Sequence, residues 1–316
     1  MLQANDLCAR PTLRTFAKET LVKGRPARIK CVEIDGQTYS ITKGPVTVLS
    51  LEDEWYEDVR DPASVLDALR SDLDLKADLF TFWQRIPERE PKYHYQIEWE
   101  SIAALPIDTF DQWFNKRISS RTRSQIRKAQ KDGIDVREVP YDDHFVRGMT
   151  AIFNEAPVRQ GRRFWHYGKD FETVKRQFSR YLFREDMIGA YYKDELIGLI
   201  MLGNAGKYAV TGQIISKIAH RDKSTNNALI AKAVEVCGRK KLPYLVYFHW
   251  TNDSLAEFKR RCGFEETRVP RYFVPLSQKG KLALKFGLHR GWKVALPEQI
   301  KTPLKRLRRF WQELHN

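Results

Sequence analysis

The stretch Asn226–Phe248, NNALIAKAVEVCGRKKLPYLVYF, carries two patterns end to end. Leu229, Ile230, Ala233, Val234 and Cys237 recur at three- and four-residue spacing and form one face of a helix from Asn226 to Gly238. From Pro243 to Phe248 the chain is an almost unbroken apolar run, which reads as a strand buried on both faces. Upstream, Met187–Tyr192, Leu196–Leu202 and Tyr208–Ile218 read as three strands, with tight turns at Lys193-Asp194-Glu195 and Asn204-Ala205-Gly206.

Working outward completes the segment. Ile134–Val139 is a strand, Asp142–Asn154 a helix, and Asp170–Phe183 a second helix with Phe171, Val174, Phe178 and Tyr181 on one face. Downstream, Asn252 or Asp253 caps a helix that runs to Cys262 and stops at Gly263, and Phe264–Leu276 is a final extended segment. The order from Ile134 to Leu276 is β-α-α-β-β-β-α-β-α-β. Before it, Thr109–Lys131 reads as one long basic helix ended by Gly133, with Phe110, Trp113, Phe114, Ile118, Ile126 and Ala129 as its apolar stripe. The first third reads β-β-β-α-β-β: Arg28–Ile34 and Gln37–Thr42 around an Asp35-Gly36 turn, Val46–Leu49, a helix from Asp61-Pro62 to about Leu73, then Leu79–Arg85 and Tyr93–Trp99. The expected class is α+β. The expected division is a small mixed-sheet domain (1–108), a linking helix (109–133), the ten-element domain (134–276) and a basic amphipathic tail (277–316).

Charge is the strongest bulk property. The chain of 316 residues has 55 Lys and Arg against 40 Asp and Glu, a formal charge of +15. Such an excess favours polyanionic partners: nucleic acid, anionic lipid or phosphate-bearing substrates. It is concentrated in 116–137 and in the tail, where Leu282, Leu284, Phe286, Leu288, Trp292, Leu304, Leu307, Phe310, Trp311 and Leu314 interleave with Lys and Arg. That pattern reads as an interfacial anchor, an RNA-binding arm, or a terminal helix docked on the domain. Cys8, Cys31, Cys237 and Cys262 form no CxxC pair and no Cys/His cluster, so free thiols in a reducing cytoplasm and no metal site are expected. Asn5 and Asp6 interrupt the stretch where a secretion signal would be apolar, and Leu196–Leu202 is too short to span a bilayer.

The ten-element order resembles that of the GCN5-related N-acetyltransferase (GNAT) fold. Three stretches resemble its FemABX and CelD-like branch: Ser120–Val136 (SRTRSQIRKAQKDGIDV), a basic helix leading into the first strand; Asn226–Phe248; and Glu257–Phe264 (EFKRRCGF), similar to an "FK…G" segment. The resemblance implies an acyltransferase or aminoacyltransferase. Since FemABX proteins carry two GNAT-like domains in tandem, it also makes the first third a candidate for an incomplete first copy.

Acetyl-CoA-using members hold pyrophosphate on backbone N–H groups at a helix start, through R/Q-x-x-G-x-G/A. The matching segment here is Arg221-Asp222-Lys223-Ser224-Thr225-Asn226, with Ser224 and Asn226 at both glycine positions. Arg221, Lys223, Ser224 and Asn226 are candidate donor-binding residues, and Asn252 is either a helix cap alone or a cap that also touches the donor. Many members protonate the leaving thiolate with a Tyr on the last helix; Lys259 stands there, and in the FemABX-like pattern a Lys at this place stabilises negative charge. The loop 155–168 is expected to be structureless and to cover the acceptor site. Arg159, Gln160, Arg162, Trp165 and Tyr167 are its candidate acceptor-binding residues, and Glu155 or His166 its candidate general base.

These readings converge on N-acyl or aminoacyl transfer from acyl-CoA, acyl-carrier protein or aminoacyl-tRNA to an amine of a cell-envelope glycan precursor or related metabolite. The expected location is cytoplasmic, peripheral at the inner membrane face, with tRNA or anionic membrane as a partner of 116–137 and 277–316. The alternative is a non-catalytic, degenerate GNAT-fold module that binds RNA or anionic membrane.

Overall fold

The computed structural model describes residues 13–22, 25–71, 75–251 and 254–290. The expected cap at Asn252 or Asp253, and the part of the tail from 291 to 316, lie outside the described residues. In chain order, β1 (Leu13–Val22), β2 (Arg25–Ile34), β3 (Gln37–Thr42) and β4 (Val48–Leu51) precede α1 (Pro62–Ser71), β5 (Leu79–Trp83) and β6 (Gln96–Pro106). Then come α2 (Phe110–Gln112), a π-helical turn Trp113–Arg117, α3 (Ser120–Lys131), β7 (Asp135–Val139) and α4 (Asp143–Phe153). The short strands β8 (Val158–Arg159) and β9 (Arg162–Arg163) lead to α5 (Phe171–Phe178), β10 (Glu185–Tyr192), β11 (Glu195–Asn204) and β12 (Ala209–Ser216). A 3-10 turn Ile218–Lys223, α6 (Thr225–Arg239), β13 (Tyr244–His249), α7 (Ser254–Arg261), β14 (Glu265–Pro275), α8 (Gln278–Lys285) and a 3-10 turn Leu288–Arg290 complete the described chain.

Twelve strands form one sheet in the order β1-β2-β3-β4-β5-β14-β6-β13-β12-β11-β10-β7. Its two halves share a plan. In each, a meander ends in a strand that runs through a helix into a parallel neighbour: β4, α1, β5 in the first half and β12, α6, β13 in the second. Each parallel strand is then flanked by an antiparallel strand from the other half of the chain. β14 lies beside β5, and β6 lies beside β13, while β6 and β14 also pair with each other. Tyr272 of β14 consequently sits fully buried in the core of the first half, its ring 5.0 Å from that of Phe82. A buried aromatic of this size contributes roughly 1.5–3 kcal/mol, so the exchange has a packing rationale as well as a hydrogen-bonding one.

Helices α3 and α6 cover one face of the second half and α4 and α5 the other. On α6 nearly every apolar side chain from Ala228 to Cys237 is buried, since the helix lies between α3 and the sheet.

Several local expectations change. Residues 109–131 are not one helix: after the π-helical turn, Ile118 is extended, and Ser119 starts α3 by accepting the Thr122 N–H at 3.1 Å. A serine cap inside an apolar stripe resets the helix without disturbing the spacing. The second helix of the pair ends at Phe178 instead of Phe183. The loop 155–168 is not structureless; β8 and β9 form a hairpin turning at Gln160 (φ 52°) and Gly161 (φ 71°). The first strand, β1, was not anticipated, and β6 extends to Pro106.

Candidate active site at the parting of two parallel strands

β12 and β13 pair only at Ala209↔Leu245 and Val210↔Val246 and then diverge. Both are irregular at that point. On β12, Gly212 is an extra residue between the pairs Leu202↔Thr211 and Met201↔Gln213. On β13, the pairing with β6 shifts between Val246 and His249, and Phe248 is left-handed with φ 46°. A bulge leaves carbonyls without a ladder partner. Here Lys259 of α7 supplies one: its Nζ donates to the carbonyls of Tyr247 and His249, both at 2.8 Å, and lies 4.4 Å from the Tyr247 ring centre. Lys259 is 1% exposed. This buried cation fixes the end of β13 away from β12.

Over the parting lies a cleft of about 680 Å3. Its floor includes Met201, Val210, Gly212 and Phe248 of the second half, and its walls come from β1, from the loop after β4 and from α5. The loop after β4 is held by charge: Arg180 donates to Glu52 at 2.8 Å and to Asp53 at 2.9 Å, and Tyr181 donates to Asp53 at 2.5 Å. Lys18 of β1 adds a fourth link, to Glu52 at 3.0 Å.

One carboxyl in the cleft is placed differently. Glu185, the first residue of β10, receives the Tyr56 hydroxyl at 2.9 Å on Oε1. Burial pushes its carboxyl above the usual range, against the lowering effects of the Tyr56 bond and of Arg184. Gly203, its partner across β11, makes room for Tyr56: an added Cβ would fall 2.5 Å from the hydroxyl. Gly212 leaves the carboxyl open on the other side, since an added Cβ would sit 3.4 Å from Oε1. Sequence reading missed Glu185 and Tyr56; only the later proximity of residues 129 positions apart marks them.

No protein-family model matches the chain, and no curated protein matches it by sequence. Solved structures do. The crystal structure of FemX aligns over 88% of this chain and 91% of that one, with a TM-score of 0.50 and 12% identity. The C-terminal domain of a putative lysylphosphatidylglycerol synthetase from Agrobacterium fabrum aligns over 78% and 84%, with a TM-score of 0.53 and 11% identity. L-PGS from Bacillus licheniformis aligns over 75% and 81%, at 0.50 and 15%. The chain has the GNAT fold, in the arrangement of FemX. Within the GNAT fold, β12 and β13 are strands four and five.

The GNAT-fold donor segment lies on the α3 and α6 side, opposite the cleft. Ser224 starts α6 in a left-handed conformation (φ 58°) and gives no side-chain cap. Thr225 Oγ1 and Asn226 Oδ1 are buried without a hydrogen-bond partner. Arg221 is exposed, Lys223 lies over the Tyr192 ring at 4.3 Å, and Lys128 of α3 donates to the Asp222 carbonyl at 2.9 Å. Positive groups therefore surround a helix start, whose backbone N–H groups suit a phosphate-bearing donor.

The residues expected over the acceptor lie outside this cleft. Glu155 accepts the backbone N–H groups of Ile218 at 2.6 Å and Ala219 at 2.9 Å and is ion-paired with Arg159 at 2.8 Å. Arg159 also donates to the carbonyls of Ser216 and Ile152. Together they fasten the end of α4 to the turn before α6. His166 is 1% exposed, stacked on Phe153 with ring centres 4.4 Å apart, and burial pushes its pKa down to about 3. Gln160, Arg162, Trp165 and Tyr167 are exposed on or beside the hairpin. None of these seven residues lines the cleft. Among the described residues no group of His, Cys, Asp and Glu is placed to hold a metal, and no helix is long and apolar enough to cross a membrane.

Proposed function

We propose that this protein transfers an acyl or aminoacyl group to an amine seated in the cleft beside Glu185. The observation that carries the reading is the parting of β12 and β13, with a cleft that holds a raised carboxyl on one side of the sheet and a helix start rich in cations on the other. The donor is acyl-CoA, an acyl-carrier protein or an aminoacyl-tRNA, held by Arg221, Lys223 and the N–H groups from Ser224 to Asn226. The nitrogen bonds to the acyl carbon, the carbon–sulfur or carbon–oxygen ester bond breaks, and the proton leaving nitrogen passes through Glu185 to the departing thiolate or alkoxide.

A carboxyl whose proton affinity is raised toward neutrality suits this task better than an ordinary surface glutamate. Lys259 keeps the charge-stabilising role suggested by its position, acting through the strand end whose carbonyls it holds. Glu155 and His166, given their contacts, serve as scaffold, and so does Arg159. FemX and L-PGS are similar in fold alone, and a cell-envelope amine as acceptor is a further part of this proposal.

The test is a transfer assay of the full chain with each of the three donor classes against a panel of amines, read by intact mass. Transfer with at least one donor, lost in Glu185→Gln, is the expected result. If none of the three supports transfer, the fold is acting as a binding module and the proposal fails.

A further inference from the structure

We propose that α8 and the turn after it form an anionic-membrane docking patch, separate from the transfer site. The helix has two faces of opposite character. Gly280, Ala283 and Leu284 are buried on its inner face, against the Asp78 backbone and the side chains of Leu79 and Phe273. Gly280 is in direct backbone contact: an added Cβ would lie 2.0 Å from the Asp78 carbonyl oxygen. On the outward side Leu282 and Phe286, four residues apart, are 54% and 61% exposed, and Leu288 is 42% exposed. Lys281 and Lys285 are exposed at the same spacing.

The patch is held firmly. Lys279 pairs with Asp78 at 3.2 Å, and beyond the helix His289 and Arg290 both bind Glu98, at 2.6 and 2.9 Å. Three large apolar side chains are thus presented to solvent on a fixed support instead of folding inward. Beside them Lys281 and Lys285 are exposed cations, while Lys279 and Arg290 are paired with Asp78 and Glu98, and the sequence has no acidic residue between Ser277 and Arg290. The sequence that leaves from this point continues in the same composition, with Trp292, Leu304, Leu307, Phe310 and Trp311 among Lys293, Lys301, Lys305, Arg306, Arg308 and Arg309.

A negatively charged lipid surface answers both properties at once: headgroups attract the cations, and the apolar side chains enter the acyl boundary. A nucleic acid answers only the charge, since phosphate contact gives Leu282, Phe286 and Leu288 no apolar phase to enter. One weak signal gives reversible binding and two give stable binding, which fits a fixed patch followed by a second basic and aromatic segment.

The experiment is co-sedimentation of the full chain with phosphatidylcholine vesicles, with and without phosphatidylglycerol, at low and high salt. Leu282→Ser/Phe286→Ser and Lys281→Glu/Lys285→Glu are made in the full chain, and circular dichroism and Tm verify the fold. Binding only to the phosphatidylglycerol vesicles, weakened roughly tenfold or more by either double variant, is the expected result. Three results overturn the proposal: no binding to those vesicles, equal binding to the uncharged ones, or binding that the Leu282→Ser/Phe286→Ser variant leaves unchanged. The last, together with tRNA competing for the protein, would assign the patch to a polyanion instead.

Discussion

Tyr56 donates its hydroxyl to Glu185 Oε1 at 2.9 Å, linking a loop of the first half of the chain to the first residue of β10 in the second. The bond fixes this raised carboxyl of the cleft without neutralising it. Glu185→Gln keeps an oxygen for Tyr56 and removes the proton acceptor. Transfer is expected to fall about 100-fold or more in kcat at neutral pH. Stability is expected to move the other way. A carboxyl raised by burial contributes stability below its unfolded pKa and loses it as pH rises through the folded value. Relative to the native chain the variant gains stability at neutral pH, on the order of 1 kcal/mol, and the gain disappears toward acid pH. Thermal melts across that range provide the check.

Gly203 allows the Tyr56 bond to exist. Gly203→Ala would place a methyl group 2.5 Å from the hydroxyl, so Tyr56 must withdraw. Tyr56→Phe removes the same bond directly. Because that bond lowers the Glu185 pKa, both variants are expected to move the rising limb of kcat/KM against pH to higher pH. A limb that stays in place in Tyr56→Phe would take Glu185 out of the base role.

Lys259→Met leaves the Tyr247 and His249 carbonyls without their donor in a partly buried place. A loss of roughly 2–4 kcal/mol is expected in urea unfolding. If the lysine were a surface cation its removal would change stability by no more than about 0.5 kcal/mol.

His166 offers a pH test of stability. Its folded pKa is about 3 against an ordinary 6.5, so the unfolded chain binds the extra proton between those values. Its contribution to stability is complete above pH 6.5 and is lost as pH falls toward 3, with a slope of at most about 1.4 kcal/mol per pH unit. His166→Phe is expected to flatten the fall between pH 6.5 and 5, measured by urea midpoints. An unchanged slope would mean that His166 is protonated in the fold.

Much of this was legible in sequence, and the illegible parts share a cause. The helix and strand of Asn226–Phe248 were readable because periodicity is local, and Lys259 stood out because its motif is short. The partner of β14 was not readable: Phe264–Leu276 mixes Glu265, Glu266, Arg268 and Arg271 with Val269, Tyr272, Phe273 and Val274 and has no clean alternation, so nothing within it specifies β5 and β6 over β13. Glu185 lies between Arg184 and Asp186 and resembles any charged turn until Tyr56 is brought to it. The burial of His166 was not readable because Phe164-Trp165-His166-Tyr167 does not reveal which ring points inward. The structure buries the histidine and exposes Trp165 and Tyr167.

The exchange of β6 and β14 bears on how the chain can be made and divided. During synthesis, β5 and β6 wait with an open place between them until residue 275 has emerged, so the first half cannot finish its sheet while the second is still being translated. Expression of either half alone would leave an unpaired strand edge that invites aggregation. A cut between residues 133 and 134, the natural place to divide this sequence by motif, would separate β6 from both of its neighbours. Gene fusions and truncations of this protein should therefore treat residues 13–275 as one indivisible folding unit, with added sequence confined to its ends.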